Sequence, residues 1–155
     1  NNPKPPPNNA RSTLSVSSVH TGVPHVVVET DNIDDIKVVK LGREIRFHDV
    51  FAPAGTNVNF VSLQNDDIVA IRTYERGVED ETLACGTGAI ASAIVISYKN
   101  KLKSPVKVMT KSGGYLNIYY KVKQGSFYDI FLEGDARIIY KAQLCEDAWK
   151  RSERK

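Results

Sequence analysis

Apolar positions along the chain recur mostly with a period of two or as short β-branched runs, and this pattern predicts a protein rich in strands. Turns that are polar or contain glycine separate neighbouring strands, which predicts hairpins near the middle and the end of the chain. The strands are expected at 14–19, where the alternation is weak, and at 25–30, 57–63, 68–74, 106–110, 115–122, 128–133 and 137–140.

Two stretches follow helical spacing instead. The first, about 33–46, carries one apolar stripe after the candidate N-caps Asp31 and Asn32, and its charged side chains are expected to face solvent. The second, 89–98, is apolar on nearly every side, which is typical of a helix buried all round. We therefore predict an α+β roll, a mixed β-sheet curled around a central buried helix. A doubly wound sheet is disfavoured because hairpin turns join the closing strands.

Length and composition fit one globular domain with a short extension at each end. The chain has 155 residues, of which 41% are hydrophobic and 25% charged, so it can bury a core without disulfides or a structural metal. Residues 1–13 hold four of the seven prolines and are predicted to be a flexible linker. We expect the folded domain over 14–140 and a charged tail over 141–155.

Net charge and cysteine content exclude several classes of protein. The last six residues carry the whole net charge of +3, so the body lacks the electrostatic footprint of a nucleic-acid binder. No apolar run reaches the roughly 18 residues of a membrane span, and no signal peptide is visible. Two cysteines rule out a disulfide-rich scaffold and leave open a protein with a reactive thiol in the cytoplasm, which is the location we expect. Because the sequence opens on Asn1 and its one methionine is Met109, we expect it to be part of a longer protein.

The segment with the clearest chemical content is 72–89. Cys85 stands directly before Gly86, Thr87 and Gly88, where the buried helix is predicted to start. The unpaired N–H groups of a helix N-terminus stabilise a thiolate and bind carboxylates, so a cysteine placed there is suited to be a nucleophile or a proton-transfer base. The alternative is a small core side chain beside a glycine turn, which is the commoner situation for a lone cysteine but explains this combination less well.

Four motifs resemble the diaminopimelate epimerase family, and they occur in the order that the family has. They are TGVPH at 21–25, GTNVNF at 55–60, YERGVEDETLACGTGA at 74–89 and EGDAR at 133–137. Together they cover about 14–140 and correspond to the C-terminal half of the family. The resemblance implies a barrel-like sheet around a central helix, in agreement with the roll expected from the pattern.

The resemblance also implies an activity. The family interconverts LL- and meso-diaminopimelate in lysine and cell-wall biosynthesis, without a cofactor and without a metal site. One cysteine removes the α-proton from one face of this small amino-acid substrate, and a second cysteine returns a proton to the other face. Cys85 corresponds to the second of these cysteines.

Other residues receive roles through the same resemblance. Arg76 would bind a carboxylate as a fork, Glu75 would hold an ammonium group, and Asn57 matches a substrate-binding asparagine. The carboxylate at the reacting centre would be held by the backbone N–H groups of Gly86 and Thr87 and by the Thr87 hydroxyl. The matched catalytic residues are Cys85, Glu75 and His25, where the histidine tunes the cysteine, and the matched substrate-binding residues are Asn57, Glu75, Arg76, Gly86 and Thr87.

Two departures from the family pattern affect this interpretation. Many members carry Asn where this chain has Val23, so either a neighbour such as Thr21 compensates or the substrate differs. The first half of the family, which carries the other cysteine, has no counterpart here, and Cys145 in the polar tail does not replace it. We therefore expect the chain alone to be inactive and to need that N-terminal half as its partner. A homodimer is compatible with the family, whereas nucleic acid and membrane are not expected as partners.

Two other functions stay open. One is a related cofactor-independent isomerase of the proline racemase or phenazine-biosynthesis type, although the Glu-Thr-Leu-Ala sequence before Cys85 argues against both. The other is a non-catalytic half-domain that binds a ligand or a partner, which a naturally short chain would require.

Overall fold

The computed structural model describes residues 14–65 and 68–148, so the predicted linker 1–13 and the last part of the tail, 149–155, lie outside the described residues. Single 3₁₀ turns occur at Asp49–Phe51 and Glu146–Ala148. The longer elements of this part of the chain are β1 (Ser17–His20), β2 (Pro24–Glu29), α1 (Val38–Arg46), β3 (Asn57–Asn65), β4 (Ile68–Glu75), β5 (Asp80–Thr82), α2 (Gly86–Asn100), β6 (Val106–Met109), β7 (Tyr115–Lys123) and β8 (Ser126–Glu133).

The strands form one mixed sheet. Its order is β1-β2-β3-β4-β6-β7-β8, and β5 pairs with the end of β4. The β2–β3 and β4–β6 pairs are parallel, and the remaining pairs are antiparallel. The expected hairpins, β3 with β4, β6 with β7 and β7 with β8, are all present. The predicted α+β roll is confirmed.

Helix α2 lies at the centre of the curled sheet. It packs against β1, β2, β3, β4, β6, β7 and β8, so almost no side of it is left for polar residues. It begins at Gly86, directly after its N-cap Cys85 as expected and three residues before the apolar stretch 89–98, and its C-cap Lys101 lies in the left-handed region (φ 56°). Small and apolar side chains dominate its buried positions, which are Gly88, Ala89, Ala91, Ser92, Ala93, Val95, Ile96 and Ser97.

Alternation along the central strands gives the sheet two apolar faces. Val27 and Val61 pack on α2, whereas Val26 and Phe60, one position away, pack on α1. The face toward α2 becomes polar near the N-terminus of that helix. The buried polar side chains in the same alternating rows are His25, Asn57, Asn59 and Thr73.

Helix α1 begins at Val38, so the predicted start at 33 was wrong. Arg72 of β4 accounts for the later start, because its guanidinium group donates to three carbonyls of the preceding loop and holds residues 33–36 in a turn outside the helix. Asn32 does not cap the helix either, since its side chain accepts the N–H of Asp34 in a local turn. The three carbonyls are those of Ile33, Asp34 and Ile36.

The predicted strand at 137–140 is absent, and the chain has no regular structure between β8 and the 3₁₀ turn at Glu146–Ala148. A strand needs a neighbour to pair with, and no described strand pairs with this segment. Its apolar side chains face solvent, with Ile139 90% exposed. Within the described part of the chain, neither helix is long and apolar enough to cross a membrane.

Candidate active site

Cys85 occupies the N-cap position of α2. Its backbone is extended (φ −134°), its side chain is half-buried, and its Sγ accepts the N–H of Gly88 at 3.4 Å. The N–H groups of Gly86 and Thr87 have no acceptor among the described residues. A thiolate at this position therefore has one amide donor and the positive end of the helix beside it, and two further amides can receive an anionic group.

Gly88 lets α2 begin directly against β3. A Cβ at this position would lie 2.4 Å from Asn59 Oδ1, closer than real side chains approach, and 3.2 Å from Cys85 Sγ, which is tighter than most real contacts. The missing side chain thus allows the start of the helix, the cysteine and the strand to meet at one point.

A hydrogen-bonded line connects His25 to Cys85. His25 Nε2 lies 3.0 Å from Thr87 Oγ1, which in turn lies 3.6 Å from Cys85 Sγ. On the other side of the ring, Nδ1 lies 3.0 Å from the side-chain nitrogen of Asn59. The fold therefore brings three of the predicted site residues together, and it gives the Thr87 hydroxyl a contact with the thiol besides its predicted contact with a carboxylate.

Burial keeps His25 uncharged. The side chain is fully buried, and its pKa is lowered from 6.5 to about 4, mainly by desolvation and further by the charges of Arg76 and His20. At neutral pH the ring is a neutral imidazole, so it acts on Thr87 and Cys85 through hydrogen bonds and not as a cation.

Glu75, Arg76 and Asn57 lie together where β3 begins and β4 ends. The Asn57 amide donates to the Pro24 carbonyl at 3.1 Å and accepts the Arg76 N–H at 2.8 Å, so it holds the chain after β4 beside β2. One Asn57 N–H remains for a ligand. The Arg76 guanidinium donates to the Ala54 carbonyl at 3.3 Å. The Glu75 carboxylate forms no hydrogen bond or ion pair with the described residues.

An ion pair anchors the turn that carries Arg76. The Glu79 carboxylate accepts two bonds from the Arg46 guanidinium of α1 at 3.2 and 3.0 Å. It also accepts the Gly77 N–H at 3.0 Å and the Tyr74 hydroxyl at 3.2 Å. The Gly77 N–H first, and then Tyr74 and Arg46, hold the pKa of the Glu79 carboxyl below its usual value. The turn is thus fixed to α1 through a carboxylate that is outside the predicted site.

The turn between β1 and β2 contains Val23, which stands where many members of the family described above carry Asn. Val23 is half-buried in this turn. The Thr21 hydroxyl, the expected compensating donor, donates to the Thr87 carbonyl at 3.1 Å. Its hydrogen is already used, so Thr21 donates to a ligand only if this bond breaks.

Two residues of the site were missed by sequence analysis. Asn59 donates to the Val26 carbonyl at 3.0 Å and accepts the Thr73 hydroxyl at 3.0 Å, besides its contact with His25. Asn59 is fully buried and Thr73 nearly so. A signal was present, because Asn59 stands two residues after Asn57, on the same face of a largely apolar strand, where an unpaired amide would be costly.

The end of β8 borders the site, whereas the second cysteine does not belong to it. A Cβ at Gly86 would lie 3.4 Å from Leu132 Cδ1. Cys145 is exposed in the segment after β8, and neither it nor Cys85 is in a disulfide.

Comparison with known proteins identifies relatives over almost the whole described chain. The family model for diaminopimelate epimerase matches residues 17–139. The diaminopimelate epimerase of Aquifex aeolicus is 44% identical over 151 residues, which is 92% of this chain and 53% of that protein. The enzyme of Hydrogenobaculum sp. is 46% identical over 130 residues (81% and 45%), and that of Chlorobaculum tepidum is 39% identical over 145 residues (90% and 55%). The chain spans about half the length of these curated relatives.

A solved structure with a similar fold is the crystal structure of a Bacillus anthracis phenazine biosynthesis protein of the PhzF family. It superposes with a TM-score of 0.50 at 16% identity, over 77% of this chain and 38% of that chain. At this level of identity the likeness concerns the fold alone.

Proposed function

This chain belongs to the diaminopimelate epimerase family, and from that premise we propose that it forms one half of an epimerase active site, in which Cys85 exchanges a proton with the α-carbon of diaminopimelate. The observation that carries the proposal is the environment of the Cys85 sulfur. It lies at a helix N-cap with the Gly88 N–H at 3.4 Å and the Thr87 hydroxyl at 3.6 Å, and two free amides stand beside it.

Inversion at the α-carbon needs proton-transfer groups on both faces, because a single base tends to return the proton to the face it came from. The Cys85 thiolate takes the α-proton from one face and becomes a thiol. A thiol on the opposite face gives its proton to the carbanion and becomes a thiolate, so no net proton is consumed. Among the described residues the other cysteine is Cys145, which is exposed in the segment after β8 and lies outside the four motifs, so we assign the second thiol to the first half of the family.

The remaining groups suit the charges of an amino acid with two ammonium and two carboxylate groups. The free N–H groups of Gly86 and Thr87 suit the carboxylate on the reacting carbon, where negative charge spreads as the proton leaves. The unpartnered carboxylate of Glu75 suits an ammonium group, and the fork of Arg76 suits a carboxylate. The remaining N–H of Asn57 is a further donor at the same edge.

A site shared between two halves accounts for what one half lacks. We expect the 155-residue chain alone to be inactive and the N-terminal half of the family to be its partner, with a homodimer as a further level of assembly. A cytoplasmic location, where thiols stay reduced, fits a mechanism that depends on a free thiol.

The test compares LL- to meso-diaminopimelate conversion by three proteins. They are the 155-residue chain, the upstream half of the Aquifex aeolicus relative, and a fusion of that half to this chain. We expect only the fusion to convert diaminopimelate, and we expect proline to stay unchanged. Conversion by the chain alone would show that the site is complete without a partner. A folded fusion that leaves diaminopimelate unchanged, or that racemises proline instead, would contradict the proposal.

A further inference from the structure

The buried side-chain amide of Asn59 has a single orientation. Its nitrogen lies 3.0 Å from the Val26 carbonyl and 3.0 Å from His25 Nδ1, and its oxygen lies 3.0 Å from Thr73 Oγ1. A main-chain carbonyl can only accept, so the atom that faces Val26 must be Nδ2, and its two hydrogens serve Val26 and His25. The Thr73 hydroxyl donates to Oδ1 and so completes the set of partners that hold the amide in place.

This orientation decides which nitrogen of His25 carries the proton. Nδ1 faces a donor and must present its lone pair, so the neutral ring carries its hydrogen on Nε2. Nε2 lies 3.0 Å from Thr87 Oγ1 and donates to it. The hydrogen of the Thr87 hydroxyl is then left for Cys85 Sγ, 3.6 Å away. The direction of donation therefore runs from Asn59 through His25 and Thr87 to the sulfur.

We propose that Asn59 is a positioning residue of this active site: it holds His25 as the Nε2–H tautomer and so turns the Thr87 hydroxyl toward the Cys85 thiolate as a donor. The inference rests on the proposed function, since it concerns the thiolate that transfers the proton. A proton on Nδ1 would set two N–H groups against each other. It would also leave the lone pair of Nε2 to draw the Thr87 hydrogen away from the sulfur.

The charged groups around the ring favour the same neutral state. Arg76 and His20 lie near enough to His25 to disfavour a second proton on it. The elements packed against the ring contribute the uncharged partners Asn59 and Thr87. No carboxylate hydrogen-bonds to the ring among the described residues, so nothing there draws a proton onto Nδ1.

The tautomer can be measured directly in the 155-residue chain. Long-range ¹H–¹⁵N correlation at neutral pH distinguishes a protonated from an unprotonated ring nitrogen, and a His25→Gln variant identifies the signals of this histidine. We expect the proton on Nε2. A proton on Nδ1, or equal populations of the two tautomers, would overturn the proposal without any Asn59 variant.

The role of Asn59 is tested by Asn59→Asp, which keeps the shape but replaces the N–H donor by an acceptor. We expect the ring proton to appear on Nδ1. Asn100→Asp introduces the same change at the far end of α2, where the amide donates to the Ile96 carbonyl, and is expected to leave the spectrum of His25 as in the wild type. An Nε2–H tautomer that persists in Asn59→Asp would refute the positioning role.

The consequence for the thiolate is read from alkylation of Cys85 by iodoacetamide, followed by mass spectrometry with Cys145 as the internal reference. The comparison is made at a pH high enough for His25 of the variant to be neutral and low enough for Cys85 to be mainly a thiol. In that range we expect Asn59→Asp to slow Cys85 alkylation by about threefold to tenfold, with the Cys145 rate unchanged. Equal Cys85 rates in variant and wild type would overturn the proposal.

If Asn59→Asp does not fold, the pair Thr73→Val and Thr73→Ser replaces it. The valine variant loses the hydroxyl that holds Asn59 Oδ1 and is expected to slow alkylation, whereas the serine variant keeps the hydroxyl and the rate. Equal rates in the two variants would contradict the proposal. None of these measurements depends on epimerisation, so their failure would leave the proposed function standing, and a failed epimerase assay would leave the tautomer result standing.

Discussion

The two cysteines lie in regions of opposite character. Around Cys85, at the start of α2, the buried polar side chains of His25, Asn57, Asn59 and Thr73 all have hydrogen-bond partners. Around Cys145, the segment 131–145 is exposed throughout its described side chains, many of them apolar. In the first region these buried polar side chains are hydrogen-bonded within the chain. The second region exposes apolar side chains to solvent, which is typical of a surface that binds another protein. The two regions meet at Leu132, beside Gly86.

This difference separates the part of the candidate site that this chain holds in place by itself from the part that it leaves exposed. The wall that carries Cys85 has its donors and its neutral histidine fixed by residues of this chain. The apolar segment beyond β8 has no such partners in a chain that spans about half the length of its relatives. We therefore expect changes in the first region to be costly and specific, and changes in the second to be mild in this chain.

Replacing each of the two cysteines by alanine is expected to give the largest difference in kcat. In the fusion with the upstream half of the relative, Cys85→Ala is expected to reduce kcat for diaminopimelate by about 10³-fold or more, because it removes the group that we propose transfers the proton. Cys145→Ala is expected to change kcat less than about twofold, since an exposed side chain away from the chemistry contributes little. Equal losses in the two variants would remove the distinction between the regions.

Two glycines in the first turn of α2 test how tightly the first region is packed. Gly88→Ala places a methyl group 2.4 Å from Asn59 Oδ1, so we expect it to lower the free energy of unfolding by about 2–4 kcal/mol. Gly86→Ala is the matched control, because its methyl group meets only Leu132 at 3.4 Å. Urea unfolding of both variants measures the difference, and a Gly88→Ala variant as stable as Gly86→Ala would show that the contact is loose.

The neutral histidine makes the first region sensitive to pH. Folded His25 stays neutral down to a pKa of about 4, whereas in the unfolded chain it binds a proton near its ordinary value of 6.5. The unfolded state therefore binds more protons between these values, and stability falls as pH falls from 6.5 to 4, by up to about 3 kcal/mol for this group. Urea unfolding of wild type and His25→Gln at pH 7 and pH 5 checks this. We expect the variant to lose most of the slope, and an equal slope in both would contradict the assignment.

Substitution in the second region is expected to have the smallest effect. Ile139 is 90% exposed, so Ile139→Ser should change the free energy of unfolding of this chain by less than about 0.5 kcal/mol. Val61→Ala, at a fully buried position against α2, should cost about 2 kcal/mol. If the proposed N-terminal half covers this segment, Ile139→Ser should cost more in the fusion than in the isolated chain. An Ile139→Ser cost as large as that of Val61→Ala in the isolated chain would mean that the segment is already packed.

The features that sequence predicted well are local ones. The apolar composition of α2 indicated a surrounded helix, and the Cys85-Gly86-Thr87 order indicated a cysteine at its N-terminus; both are present. Each depends on residues adjacent in the chain or one helical turn apart, so the pattern contains the necessary information.

The features that were missed depend on contacts between distant segments. Asn59 meets Thr73 because the register of β3 and β4 sets them opposite each other, and no local pattern reveals a register. Helix α1 starts late because Arg72, far along the chain, donates to carbonyls of the preceding loop and holds that loop in a turn. The pattern at 137–140 suits a strand, but a strand requires a partner, and the described sheet offers none.

The central claim is that Cys85 itself carries the proton on one face of the substrate. The most direct test is exchange of solvent deuterium into the α-carbon of each diaminopimelate stereoisomer by the fusion in D₂O, with and without Cys85→Ala. We predict that the unmodified fusion exchanges and epimerises both isomers. With Cys85→Ala, epimerisation stops for both isomers, and exchange survives for at most the one whose α-hydrogen faces the other cysteine. Epimerisation of both isomers at the unmodified rate by the Cys85→Ala fusion would contradict the account.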